Sequence, residues 1–311
     1  MGKVAFIFPG QGSQKIGMGK EIAATSSAAQ KVFAEADEAL GFSLSSLCFE
    51  GPEEKLTQTE ITQPAILTTS VALLEALKPF DITPDFVAGH SLGEYSALVA
   101  AGALTFREAV VAVHERGKWM EEAVPTGIGA MTAIMGLDRE ILDQICRDVS
   151  TTEQSVQPAN YNCPGQIVIS GHQAAVDQAA KLAKEAGARR TISLTVSGPF
   201  HSKLMEPASK KLKQTLDRVN LQQASIPVVA NVSASPIQAA DEIRKALIDQ
   251  VASPVLWEDI VRFLLEQGVD EMVEVGTGKV LAGLVRKIDR NVKVWNVQDS
   301  ASLQSLAESL K

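Results

Sequence analysis

Short continuous apolar runs alternate along the chain with longer stretches of helical periodicity. Val4-Ala5-Phe6-Ile7-Phe8 closes on Pro9-Gly10, the pattern of a strand buried on both faces. Phe86-Val87-Ala88 runs directly into Gly89-His90-Ser91-Leu92-Gly93, after which helical spacing resumes. Later apolar runs lie at 226–232 (IPVVANV), 271–276 (EMVEVG) and 293–298 (VKVWNV), each separated from the next by helical stretches. Buried strands alternating with helices predict an α/β fold with a mainly parallel sheet covered on both faces.

The rhythm changes between about 129 and 196. A strand is predicted over Ala130–Gly136 and a helix over Arg139–Val149. Two strands follow, Val156–Tyr161 and Gln166–Ser170, joined by the turn residues Asn162-Cys163-Pro164-Gly165. A helix over His172–Gly187 and a strand over Arg190–Val196 complete a βαββαβ order, that of ferredoxin-like units. Residues 129–196 are therefore expected as an inserted subdomain, and 1–128 with 197–311 as one large domain.

Composition narrows the function classes. With 45% apolar and 21% charged residues among 311, the chain is a globular protein with a sizeable core. Its net charge of -8 argues against general affinity for nucleic acid or anionic lipid, and no apolar stretch is long enough to span a membrane. Cys48, Cys146 and Cys163 are scattered, without the spacing of a disulfide framework or a metal site. The amino terminus lacks a secretory cleavage pattern, and Phe6 stands where N-myristoylation needs Ser or Thr. A reduced, cytoplasmic protein without a metal or redox cofactor is expected.

Gly89-His90-Ser91-Leu92-Gly93 has the form G-x-S-x-G at a strand-to-helix junction. The glycines suit a sharp turn that leaves no room for side chains beside the serine and lifts its hydroxyl off the end of the sheet. Ser91 is thus a candidate nucleophile, against the alternative of a merely tight turn. The Leu92 amide, at the start of the following helix, is a candidate oxyanion donor. A second donor is expected from Pro9-Gly10-Gln11-Gly12-Ser13-Gln14 after the first strand, with the Gln11 amide as candidate. That loop is not a dinucleotide fingerprint, because Lys15 stands where the last glycine is required.

Of the four histidines, His90 adjoins the serine, His114 falls on a helix and His172 near a helix start. His201, in Ser197-Gly198-Pro199-Phe200-His201-Ser202, lies on a loop leaving the inserted unit. By elimination it is the candidate base, a core or capping histidine being the alternative. Arg116 falls on or beside the apolar stripe of a helix opened by the capping box Thr105-Phe106-Arg107-Glu108. A buried guanidinium needs an anion. An internal salt bridge and a substrate carboxylate are both open at this point.

PGQGSQ, GHSLGEYSAL, ERGKWM, NCPGQIVISG, GPFHS and EVGTGKVL occur in collinear order along essentially the whole chain. Together they resemble malonyl-CoA:acyl-carrier-protein transacylases, the acyltransferase family of fatty-acid and polyketide synthesis. The resemblance implies an α/β-hydrolase-like large domain with a ferredoxin-like subdomain, and an active site between them. It implies Ser91 as acyl acceptor, His201 as base, and a carbonyl oxygen at Gln250 orienting that base. It places the oxyanion on the amides of Gln11 and Leu92 and the malonyl carboxylate on Arg116. Phe200 resembles the malonyl-selective form of its motif, and Met131 and Asn162 are expected to line the cleft.

The resemblance further implies transfer of malonyl from malonyl-CoA to the pantetheine thiol of an acyl carrier protein through a malonyl-serine, with no cofactor. Carrier proteins of that family are acidic, so a local basic patch is expected for docking. Lys181, Lys184, Arg189 and Arg190 with Lys210, Lys211 and Lys213 are its candidates, solvated helix faces being the alternative. The chain carries no recognisable interface pattern, which favours a monomer. A serine hydrolase using the same elbow, or a scaffold on a retired enzyme fold, are the rival classes.

Overall fold

The structure is a computed structural model that describes residues 2–125 and 127–309. Among the described residues, ten strands form two sheets. The larger contains β1 (Lys3–Phe8), β2 (Phe86–Gly89), β7 (Val228–Val229), β8 (Pro236–Ile237), β9 (Val269–Val275) and β10 (Lys293–Val297). Its order is β10-β9-β1-β2-β7-β8, parallel throughout except for the final β7–β8 pair. The smaller contains β3 (Gly129–Met135), β4 (Val156–Cys163), β5 (Gln166–His172) and β6 (Arg190–Ser193), antiparallel in the order β4-β5-β3-β6. Helices Arg139–Val149 and Gln173–Glu185 complete the βαββαβ order.

Apolar residues cover both faces of the large sheet. On one side Phe6, Phe8 and Val87 pack with the helices Thr59–Leu77 and Phe106–Glu122. On the other, Ala5, Ile7 and Ala88 pack with Trp257, Ile260 and Val285. The alternation of neighbouring residues between two apolar layers explains why these strands read as continuous apolar runs. The small sheet has its own core, built on Ile134, Ile167, Ile169, Leu142 and Val176. Backbone bonds from Val255 N–H to Ala159 and from Tyr161 N–H to Val255 tie β4 to the body of the large sheet at 2.8 and 2.9 Å.

Two strands are shorter than their apolar runs predict. The run 226–232 contributes only Val228–Val229 to the sheet. Pro227 has no N–H to offer, and beyond Ala230 the chain folds into a turn in which Ala234 N–H donates back to Ala230. The run Arg190–Val196 ends as a strand at Ser193. Leu194 still donates to Met131 at 2.9 Å, but Pro199 packs against Gly129 at the start of β3 and peels the intervening residues away.

Among the described residues no helix is long and apolar enough to cross a membrane.

Candidate active site

Phe8 pairs with Gly89, so β1 and β2 end side by side and deliver their two loops to one place. A Cβ on Gly89 would lie 1.9 Å from the Gly93 backbone, and one on Gly93 would lie 2.1 Å from the Phe8 carbonyl oxygen. Only glycine allows the strand, turn and helix to approach this closely. Ser91 sits at the turn's apex with φ 51°, a left-handed conformation that costs a non-glycine residue roughly 1–3 kcal/mol. Asn231 holds it there: its Oδ1 accepts from Ser91 N–H at 2.7 Å and its Nδ2 donates to Gly89 O at 2.6 Å.

His201 reaches Ser91 from the loop that follows β6, with Nε2 2.7 Å from Ser91 Oγ. It too has a left-handed backbone, φ 58°. Its Nδ1 faces two carbonyl oxygens, Gln250 O at 2.9 Å and Ser253 O at 3.2 Å. Carbonyls only accept, so Nδ1 carries the hydrogen and Nε2 presents its lone pair to the serine hydroxyl. Burial, then the nearby charge of Arg116, pushes the imidazole down to about 3, only partly offset by the bonds to Gln250 and Ser253. The ring is neutral across the physiological range, as a proton acceptor must be.

Arg116 comes from the helix Phe106–Glu122 and is 1% exposed. It donates to Gln63 Oε1 at 2.7 Å, Gln250 Oε1 at 2.8 Å and Ser91 Oγ at 3.1 Å. None of these is an anion, and Arg116 Nε has no partner. The internal salt bridge open on sequence grounds is absent from the ion pairs of the described residues.

These groups line a cavity of about 780 Å³ bounded by Gln11, Leu92, Met131, Asn160, Phe200 and the segment Leu194–Ser197. Among the described residues, the N–H groups of Gln11 and Leu92 make no hydrogen bond within the protein, leaving two donors free at the cavity wall. Met131, expected at the cleft, and Phe200 border the cavity. Asn162 is not among its lining residues: its Oδ1 bonds His90 Nε2 at 2.9 Å, and Asn160 of the same strand takes the cavity position. Gln250 lies behind the wall, fully buried. His114 Nδ1 bonds Glu60 O and His172 Nδ1 accepts from Ser155 N–H, both remote from the cavity.

Asn231 and Gln63 lie outside the motifs, and Glu94, inside GHSLGEYSAL, was given no role there. Asn231 and Gln63 could have been flagged as isolated polar residues, one just past a parallel strand's carboxyl end and the other inside a buried helical run.

The acyl transferase domain family matches residues 5–306. The chain is 54% identical over 311 residues to the malonyl CoA-acyl carrier protein transacylase of Bacillus subtilis (strain 168), covering 100% of this chain and 98% of that protein. The Coxiella burnetii malonyl CoA-acyl carrier protein transacylase structure superposes with a TM-score of 0.97 at 41% identity, covering 99% and 98% of the two chains. A malonyl-transacylase solved in complex with its type II PKS acyl-carrier protein superposes with a TM-score of 0.96 at 44% identity, covering 99% of each chain.

Proposed function

The chain belongs to the acyl transferase domain family and is an acyltransferase of the malonyl-CoA:acyl-carrier-protein transacylase kind, and from that premise we propose that it works through a malonyl ester of Ser91. The observation that carries this reading is Arg116, a buried guanidinium with no ion-pair partner among the described residues, 3.1 Å from the candidate nucleophile. A neutral ester or an acetyl group gives such a residue nothing to bind; the free carboxylate of malonyl does.

His201 Nε2 takes the proton of Ser91 Oγ as that oxygen attacks the thioester carbonyl of malonyl-CoA. The tetrahedral oxyanion rests on the amides of Gln11 and Leu92, a contribution of about 3 kcal/mol per donor. The C–S bond breaks, the proton on His201 passes to the leaving thiolate, and free coenzyme A departs. The pantetheine thiol of the carrier protein then gives its proton to His201 and attacks the Ser91 ester. When that second intermediate collapses, the serine oxygen leaves and recovers its proton from the imidazole. Bound malonyl also neutralises Arg116, the second cause of His201's low basicity, so the base strengthens when the correct substrate is present.

For the carrier protein we propose docking on exposed Lys181, Lys184, Arg189, Arg190 and Lys210. Lys211 and Lys213 of the expected patch are engaged locally, by Glu122 at 2.8 Å and Asp217 at 2.6 Å. Residues 129–196 act as the subdomain that closes one side of the cavity, and the protein works as a cytoplasmic monomer needing no cofactor.

The test is intact-protein mass spectrometry after mixing with malonyl-CoA, acetyl-CoA or methylmalonyl-CoA, with Ser91→Ala as control and carrier protein added afterwards. A malonyl adduct on the wild type alone, discharged onto the carrier thiol, is the expected result. Free malonate without transfer would assign a hydrolase instead, and no adduct would assign a scaffold.

A further inference from the structure

Gln250 is the most heavily engaged side chain behind the cavity. Its main-chain oxygen takes the His201 Nδ1 hydrogen at 2.9 Å, and its Oε1 accepts from Arg116 at 2.8 Å. Its Nε2 donates to Glu94 Oε2 at 2.7 Å and to Ser91 O at 3.0 Å. A carboxamide can sit either way round, and the two orientations differ only in which end is donor. With the amide reversed, its NH2 would face the guanidinium, donor against donor. Something must therefore select the orientation that turns Oε1 toward Arg116.

Two acceptors do so, the Ser91 carbonyl and the Glu94 carboxyl, and Glu94 makes the shorter contact. It lies in the first turn of the helix Gly93–Ala100, at 1% exposure, in the helix that begins beside Ser91. Its Oε2 also accepts from Asn231 N–H at 3.1 Å, the same residue whose side chain holds the Ser91 amide. Glu94 Oε2 is the common acceptor of the Asn231 N–H and the Gln250 amide, so it meets Gln250 with the NH2 toward it. Arg116 has no acidic partner of its own within ion-pair distance among the described residues; two neutral amides hold it, Gln63 at one terminal nitrogen and Gln250 at the other, and the Gln250 amide sets the pose of the nitrogen that faces Ser91.

We propose that Glu94 is a positioning residue for acyl selection: it fixes the Gln250 carboxamide, and through it the direction in which Arg116 presents its charge. It is not among the residues that line the cavity. The proposal rests on Arg116 receiving the malonyl carboxylate. Burial, offset in part by the bonds from Gln250 and Asn231 and by Arg116, raises the Glu94 carboxyl to about 7, in keeping with a polar group held inside for its contacts.

The contact chain runs to Arg116 through the Gln250 side chain, whereas His201 is held by the Gln250 main chain. Loss of Glu94 should therefore damage malonyl transfer and largely spare acetyl transfer. The test is the single-turnover rate of Ser91 acylation by malonyl-CoA and by acetyl-CoA, in wild type, Glu94→Met, Glu94→Gln, Gln250→Met and Glu94→Met/Gln250→Met. The malonyl-to-acetyl ratio should fall about tenfold or more in both single Met variants and stay within about threefold of wild type in Glu94→Gln, which keeps an acceptor oxygen. The double variant should have the ratio of Gln250→Met alone, the signature of two residues acting as one unit. Glu94→Gln, which keeps an acceptor for the Asn231 N–H and the Gln250 amide, tests the proposal even if Glu94→Met does not fold.

Equal loss for both acyl groups in Glu94→Met, or a further fall in the ratio in the double variant, would overturn the proposal. So would a Glu94→Gln ratio as low as that of Glu94→Met. Failure of the wild type itself to form a malonyl adduct would instead remove the underlying mechanism.

Discussion

Replacing Arg116 by Met separates a substrate-binding arginine from a structural one, because the two make opposite predictions for stability and selectivity. The side chain is 1% exposed and spends its donors on Gln63, Gln250 and Ser91 rather than on a carboxylate. Keeping a guanidinium there costs several kcal/mol in lost hydration. Removing it forfeits the bonds to two amide oxygens, at about 1–3 kcal/mol for each acceptor left unpaired. The opposing terms nearly cancel, so the melting temperature of Arg116→Met should correspond to a change within about 2 kcal/mol. Breaking a true buried ion pair would instead cost about 3–5 kcal/mol. Malonyl transfer should lose about 2–5 kcal/mol of transition-state binding, a fall of roughly 30- to 5,000-fold in kcat/KM. Acetyl transfer should be unchanged or faster. The assays are thermal unfolding of the free protein and acylation kinetics with the two thioesters side by side. A large drop in melting temperature together with equal losses for both acyl groups would make Arg116 a structural residue and refute the reasoning.

Because His201 is pushed down to about 3 in the free protein, acetylation by acetyl-CoA should show no acid limb near the ordinary histidine pKa. In Arg116→Met the limb should move to higher pH, and a wild-type limb between about pH 6 and 7 would contradict the assignment. Asn231→Ala leaves the Ser91 amide and the Gly89 carbonyl without their partners, and should lower stability by about 1–3 kcal/mol per stranded group and slow acylation, read by denaturant unfolding and adduct formation. Glu274 is raised to about 7 by burial, against the amides of Ala282 and Leu281 that bond its carboxylate. A raised carboxyl adds stability that is complete below its unfolded pKa of about 4.3 and is lost as pH rises through about 7. Glu274→Gln should therefore flatten the fall in melting temperature between about pH 5 and 8, and an unchanged slope would count against it. Reversing the charges of Lys181, Lys184, Arg189 and Arg190 together should raise the KM for carrier protein and abolish its salt dependence, leaving the KM for malonyl-CoA alone.

The elbow was legible because its constraint is local. Gly89, Ser91 and Gly93 are required by contacts within one strand-to-helix turn and with the adjoining strand end, and such contacts leave a spacing in the sequence. The βαββαβ order showed for a related reason, since the small sheet's apolar patterns and the turn at Pro164-Gly165 are short-range features. The serine–histidine contact spans 110 positions and the histidine–Gln250 contact 49, and no local pattern encodes either; elimination and family resemblance supplied them. Asn162 illustrates the limit from the other side. Resemblance put it near the cleft; β4 is irregular on both sides of Asn160 and around Asn162, and Asn160 meets the cavity while Asn162 turns to His90. Glu94 and Asn231 stayed hidden because each acts by completing another residue's hydrogen bonds, a role any polar residue could play at many positions.

The wide separation in sequence of the groups around Ser91 has a consequence during synthesis. The serine carbonyl and the Gln250 amide that meets it are 159 residues apart. At ordinary translation speeds roughly 8–30 s pass between the appearance of one and the other. Throughout that interval the nascent chain holds the serine but neither its complete support nor a home for the arginine's charge. On the proposed mechanism, full reactivity toward an acyl thioester should therefore follow the addition of Gln250, with about a fifth of the chain still to come. Labelling of Ser91 on stalled ribosomes would, on that mechanism, serve as a clock for the arrival of Gln250 at the serine.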